Sequence, residues 1–292
     1  MDSKRAQTAQ DSAAGGTSAI QDAFARCLGK ARGLRLYRVF VAQFFKRLVE
    51  YRVDFLTGAF AFFFGQIFNI LFIFLIFNNI TELDGWNLQQ IVFIYGFSLI
   101  PRGIDHLYAD NLWKVAYFLV RKGDFDKYMT RPIDPLHHVL MEGFEPDALG
   151  ELITGIVLVC VSAGKLGLVL GPERLLLGLV AVVAGTLIYT GIKIIFASIA
   201  LWTKRSGHIL HMVYMSSDFV KYPVTIYNEF VKTLVTYIVP FAFTAFYPAS
   251  YLLTGVDPLF NIGGTVIAGA FLMILGRQIW NRGILAYESA GS

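Results

Sequence analysis

The chain has 292 residues, 55% of them hydrophobic and only 16% charged, with a net charge of +4 and a mean hydropathy of +0.56. An ordinary soluble domain carries about a quarter charged residues, so this chain has too little polar surface to cover itself in water, which argues against a soluble enzyme. Its basic residues sit between apolar stretches rather than on one soluble face, which points to membrane topology and sets nucleic acid aside.

Residues 1–33 are polar and lack the continuous apolar core of a secretory signal, so they read as a disordered cytoplasmic tail. From 34 to 54 the pattern changes. Leu36, Val39, Phe40, Phe44, Phe45 and Leu48 recur at helical spacing while Arg35, Arg38, Lys46, Arg47 and Glu50 occupy other positions. A basic amphipathic helix of this kind lies along a membrane surface, with its aromatic side at the acyl boundary.

Phe55–Phe77 is 23 residues without a charge, which exceeds the roughly 20 needed to cross about 30 Å of hydrocarbon. It reads as span one, with Gln66 and Asn69 the candidates for an inward-facing stripe lining a pathway or interface, and the linker Asn78–Asn87 carries turn residues. Span two starts near Leu88, and Arg102, Asp105, His106 and Asp110 after Pro101 imply that it runs on into water. Span three is Leu149–Gly164. Span four is Leu175 to about Thr203, with Lys193 placed to snorkel to the far headgroups. The uncharged run Thr233–Val256 carries Pro240 and Pro248, so it reads as a fifth span to about Ala245 and then a re-entrant turn at Tyr247–Pro248, since broken backbone at membrane depth must be covered by protein or line a cavity. Span six is Leu259 to about Trp280, and residues 283–292 form a C-terminal tail.

The predicted fold is therefore all-α: six transmembrane helices over 55–282, an amphipathic helix before the first, and a re-entrant element at 246–256 before the last. Ten Lys or Arg precede span one and six more lie between spans two and three, whereas the linkers after spans one and five have none, so the positive-inside rule places both termini in the cytoplasm of a plasma or inner membrane.

No phosphate-cradling G-x-x-x-x-G-K-[ST], no H-E-x-x-H, no G-x-S-x-G and no metal-type Cys/His spacing occurs, so no catalytic, cofactor-binding or metal residues are assigned to the chain. Cys27 and Cys160 read as free thiols, and His137–His138 and His208–His211 as solvated or headgroup-facing. Glu229 with Lys232, and Asp218 with Lys221, have the i, i+3 spacing of self-neutralising pairs; the former pair is also a candidate for substrate contact.

The most informative segment is 121–138, R-K-G-D-F-D-K-Y-M-T-R-P-I-D-P-L-H-H, in which cations and two acids flank Phe125 and Tyr128 and two prolines stop the helix. One reading is a solvated cap. The other is a short cytoplasmic helix presenting Phe125 and Tyr128 to a partner's groove, in which case replacing Phe125 should cost the fold little.

This string resembles the R-x-G-x-hydrophobic-acid-x-x-hydrophobic-x-x-P signature of type-2 ATP-binding-cassette exporter permeases. The resemblance extends to Glu50–Phe55, Tyr222–Tyr227, Pro240 with Phe246–Ala249, and Trp280–Gly283 with Tyr287–Ala290, covers nearly everything after residue 35, and is to a subfamily encoded as two permeases beside one ATPase. It implies a non-catalytic, six-span permease half that pairs with a second permease and sits on two ATPase subunits, which bind the ATP and Mg. It also implies that Gly123, Asp124, Phe125, Asp126, Tyr128, Arg131 and Pro132 form the ATPase-coupling element, and that Phe246, Tyr247 and Pro248 form a re-entrant gate. The alternatives are a membrane subunit of a mechanical signalling or assembly complex and an ion-driven secondary transporter, for which charges paired near the midplane are the expected mark.

Overall fold

A computed structural model describes residues 52–289, apart from 144 and 146. The predicted tail 1–33 and all of the amphipathic helix but its last three residues lie outside the described residues, and Arg52 begins the first described helix. That helix, α1, is Arg52–Phe77. Its phenylalanines at 60, 64, 68 and 72 are exposed along one face, while Gln66 and Ile73 turn inward.

A two-stranded hairpin follows, β1 (Glu82–Leu83) and β2 (Trp86–Asn87), closed by Asp84–Gly85 with both residues at positive φ, the backbone that an Asp-Gly turn accepts most readily. Asn87 then caps α2 (Leu88–Ala109) through a reciprocal pair of 3.0 Å bonds with Gln90. One α-turn and one π-turn carry the chain to Leu119, and the connection that follows holds α3 (Asp126–Met129) and α4 (Pro135–Glu142). Then come α5 (Ala148–Lys165), α6 (Pro172–Ser198), α7 (Gly207–Met215), α8 (Glu229–Thr233, extended by a π-turn to Ile238), α9 (Phe246–Thr254) and α10 (Gly264–Ala286, preceded by a π-turn from Leu259). Among the described residues, three helical runs are long and apolar enough to cross a membrane: Ala148–Lys165, Pro172–Thr203 and Leu259–Ala286. Phe63–Phe77 is a shorter apolar helix.

The most extensive pairings are α6 with α10 and α2 with α5. The second is as close as it is because of glycine. A Cβ built at Gly155 would stand 2.8 Å from the Gly96 carbonyl oxygen, so the backbones meet where neither residue has a side chain, as small residues allow in membrane helices.

Three expectations are corrected. α2 does not leave the protein after Pro101: it stays helical to Ala109, with Asp105 fully buried. Lys193 does not snorkel. Its side chain is also fully buried, because carboxylates from α2 reach it and a paired ion needs no route to water. The run Thr233–Val256 is not one helix ending in a turn at Tyr247–Pro248. The helical path stops at Val239–Pro240, where proline can donate no backbone bond. Phe246, Tyr247 and Pro248 instead form the first turn of α9, where a missing N–H costs nothing.

After the break the chain runs back beside the first half of α6. The Phe241 ring lies tilted 5.1 Å from that of Tyr189, a Cβ at Gly185 would touch Thr244, one at Gly178 would touch Leu252, and one at Gly255 would meet Arg174.

Candidate functional site

Segment 120–142 is folded onto the body of the protein. Gly123 has φ +79, which only glycine adopts freely, and this reverses the chain so that the Phe125 amide bonds the Leu119 carbonyl at 3.1 Å. Phe125 and Tyr128 thereby point inward, with 0% and 1% of their surface exposed. The Phe125 ring packs 5.9 Å from Trp280 and 5.2 Å from Tyr287, and the Tyr128 ring 4.8 Å from His138. Asn111, two residues past α2, donates to the Tyr128 hydroxyl at 3.1 Å and to the Val139 carbonyl at 3.0 Å. The outward presentation of Phe125 and Tyr128 is thus corrected: two large aromatic groups gain more from an internal apolar cluster than from water.

Two carboxylates clasp the same segment to the chain's last helix and the residues after it. Asp126 accepts from the Tyr287 hydroxyl at 2.7 Å and the Ser289 hydroxyl at 2.5 Å. Those hydrogen bonds, from Ser289 and then Tyr287, hold its carboxyl below the usual carboxylate range, while burial and the bond to Asp126 push the Tyr287 hydroxyl up to about 12. Asp134 makes a two-pronged pair with Arg277 at 2.9 and 2.5 Å, and also caps α4 by accepting from the His137 amide at 3.1 Å. The Arg277 bonds hold the Asp134 carboxyl well below its ordinary value.

Asp124, Lys127, Met129, Arg131 and Pro132 remain exposed, with Lys127 2.9 Å from Glu142 and Arg131 3.1 Å from His138. Burial would raise the Glu142 carboxyl, but hydrogen bonds from Tyr128 and Lys127 outweigh it and the net shift is downward.

The clasp has a measurable pH dependence. A carboxyl with a lowered folded value stabilises its contacts above its unfolded value, about 4, and that contribution is lost as pH falls through the lowered value. Amide exchange over 287–289, taken relative to the intrinsic rate at each pH, should therefore accelerate on acidification below about pH 4. It should be fast already at neutral pH in Asp126→Asn, which loses the charge that strengthens both bonds. Equal exchange in the parent and the variant at neutral pH would show that the clasp does not hold the segment.

Behind this segment lies an ionic network of which local spacing disclosed the Asp218–Lys221 pair alone. The Lys193 ammonium is 2.6 Å from Asp105 and bonded to Asp110, and Asp105 also accepts from Thr190 at 2.8 Å. His106 places its two ring nitrogens 2.8 Å from Asp110 and 3.6 Å from Glu151. Arg102 is 3.2 Å from Glu151 and 3.5 Å from Asp218, which pairs with Lys221 at 2.7 Å. Lys193 and Arg102 both lie against the Tyr214 ring, at 5.3 and 5.6 Å. Charges from α2, α5, α6 and the turn after α7 thus meet in one place. The available signal was Lys193 itself, an ionisable residue inside an apolar run.

The other candidates are placed separately. Gln66, 9% exposed, accepts from the Tyr95 hydroxyl, whereas Asn69 donates to Gly65 of its own helix at 3.0 Å. Gln66 also borders an apolar cavity of about 360 Å³ between α1 and α5, with Phe63, Ile70, Thr154 and Val157 among its walls. Glu229 and Lys232 pair with each other at 3.4 Å on an exposed surface. Phe246 and Pro248 are buried, and the Tyr247 hydroxyl lies 3.0 Å from that of Thr236, which brings α9 against the π-turn after α8. Among the described residues, no group of three or more His, Cys, Asp or Glu is placed to hold a metal.

No curated protein and no solved structure gives a significant match to the chain. The family model described as ABC-2 family transporter protein matches residues 63–291, which include the clasped segment, the network and the broken α8–α9 element. The chain is therefore a member of the ABC-2 family of transporter membrane proteins.

Proposed function

We propose that the chain is the permease subunit of an ATP-driven exporter, pairing with a second permease, related or identical, and resting on two ATPase subunits that bind ATP and Mg. It does no chemistry itself. Six crossings with both termini cytoplasmic fit the cation distribution. The fifth crossing is assigned to 207–222 rather than to 233–245. At about 1.5 Å per α residue and about 2.0 Å per 3₁₀ residue, α7 and the 3₁₀ turn Ser216–Lys221 cover about 25 Å. Their two ends support this: a Cβ at Gly207 would strike Tyr117, in the π-turn after α2, whereas Tyr222 packs against the cluster that holds Ile91, Val92 and Tyr95 in the first half of α2. α8 and α9, hinged at Val239–Pro240, then make the re-entrant element on the outer side.

The observation that carries the reading is the clasp. ATP-driven closure of the partner subunits would push on Gly123–Pro132. Through Phe125 on Trp280, Asp126 on Tyr287 and Asp134 on Arg277 that push reaches α10, which packs along α6. Transport is then a population shift between inward- and outward-facing arrangements of two permeases. The end of the network at Lys193 and Asp110 lies toward the inner end of the bundle, with Lys193 about 32 Å along α6 from Pro172, whereas an ion-driven transporter would place its pairs near the midplane.

Purification from native membranes should bring down an ATPase with the chain, and the chain alone should turn over no ATP. Nucleotide hydrolysis by the isolated chain, or the absence of any ATPase from the complex, would overturn the proposal.

A further inference from the structure

We propose that the apolar cavity between α1 and α5 is a binding site for a small hydrophobic molecule dissolved in the bilayer, one that carries an acceptor oxygen, such as a ketone or an ether, for the Gln66 amide. The site depends on α1 crossing the membrane and on nothing else in the permease reading. Its volume of about 360 Å³ falls within the range of small-molecule pockets, about 300–1,000 Å³. Two polar side chains, Gln66 and Thr154, stand in its walls. The Thr154 hydroxyl is already used, since it donates to the Gly150 carbonyl of its own helix at 2.7 Å. The Gln66 amide is not. Its carbonyl accepts from the Tyr95 hydroxyl, which leaves both of its N–H groups with no acceptor among the described residues, on a side chain only 9% exposed.

Depth decides what can satisfy that amide. Gln66 lies midway along the uncharged run Phe55–Phe77, about 16 Å of helix from either end, which puts it near the centre of a hydrocarbon layer about 30 Å thick. Water is absent there, and an N–H left unpaired in hydrocarbon is costly. A lipid acyl chain fills the cavity but offers the amide no acceptor, and the ester oxygens of that lipid stay at the interface. A molecule with an oxygen on an apolar body meets both the walls and the amide. Its way in is lateral, because Phe63, Ile153 and Val157 line the cavity and are also exposed on the lipid side of the helix pair.

The test uses the complex purified from native membranes, placed in phosphatidylcholine nanodiscs with two photoreactive alkyl chains of equal length that differ only in a mid-chain ketone. Adducts are mapped by mass spectrometry. The ketone probe should label 63–70 and 150–158 saturably and about fivefold more than the alkane probe, the preference that one hydrogen bond gives. Gln66→Leu should remove the preference and keep the alkane labelling, because the apolar walls remain. Val157→Trp, which fills the cavity from a lipid-facing position, should lower labelling by both probes. Comparable melting of the two variants shows that the fold is kept. Equal and unsaturable labelling of the parent by both probes would show that lipid chains alone occupy the cavity, and overturns the site. So does an absence of adducts on both segments, since a second permease would then cover them, and so does reaction of Gln66→Cys with an impermeant thiol reagent, which would put water at the amide. An absence of ATPase from the complex overturns the permease reading and leaves this site standing.

Discussion

Lys193→Met is expected to destabilise the chain by about 3–5 kcal/mol, the range found when one partner of a buried ion pair is removed. The ammonium is fully buried and sits between Asp105, also fully buried, and Asp110. Methionine fills the volume but leaves Asp105 without its counter-charge and Asp110 with His106 alone, and solvent cannot reach Asp105 to replace the ammonium. Denaturation of the purified chain in mixed micelles gives the number directly. The triple variant Lys193→Met, Asp105→Asn, Asp110→Asn should recover most of the loss, because neutral groups of similar shape carry a far smaller desolvation penalty. A single variant within about 1 kcal/mol of the parent would mean that water reaches the network and that it does not join the helices.

Phe125→Ala should cost a comparable amount, about 3–5 kcal/mol, as for other buried phenylalanines cut back to alanine. The side chain is wholly enclosed by Tyr128, Trp280 and Tyr287, so truncation leaves a cavity at the joint between the segment and α10. The loss should be local as well as global. Limited proteolysis is expected to cut within 121–134 in the variant and not in the parent, while Phe125→Leu behaves nearly as the parent because it keeps most of the apolar volume. Parental stability and protease resistance in Phe125→Ala would show that the ring is not a structural anchor and would return it to the role of an exposed docking group.

These two residues mark where the sequence was legible and where it was not. The apolar runs, the turn-rich linker Asn78–Asn87 and the stretch at 149–164 were all readable, and the last lies wholly within helix α5. So were the pairs Asp218–Lys221 and Glu229–Lys232, because partners three residues apart on one turn are a local matter. Lys193 was visible as an anomaly, but its partners were not: Asp110 is 83 residues away, and no periodicity reports a contact at that separation. Pro240 was visible as a break, whereas the relation of α9 and the turn before it to α6 depends on glycines at 178 and 185 that only packing makes meaningful.

The sequence by itself determined that the chain is a helical membrane protein, where most of its helices lie, and through a short ordered string of motifs which family it belongs to. Those properties follow from composition and from spacing within a turn or two. The tertiary structure alone decided which face of each helix is inside. In a membrane an apolar side chain is at home against lipid or against protein, so hydropathy does not separate Phe68, 69% exposed, from Phe93, 0% exposed. Packing, the backbone reversal at Gly123 and the long-range pairing of buried charges make that distinction. They turn the string around Phe125 from a presumed docking tip into an element clasped at Asp126 and Asp134 to the last helix and the residues that follow it.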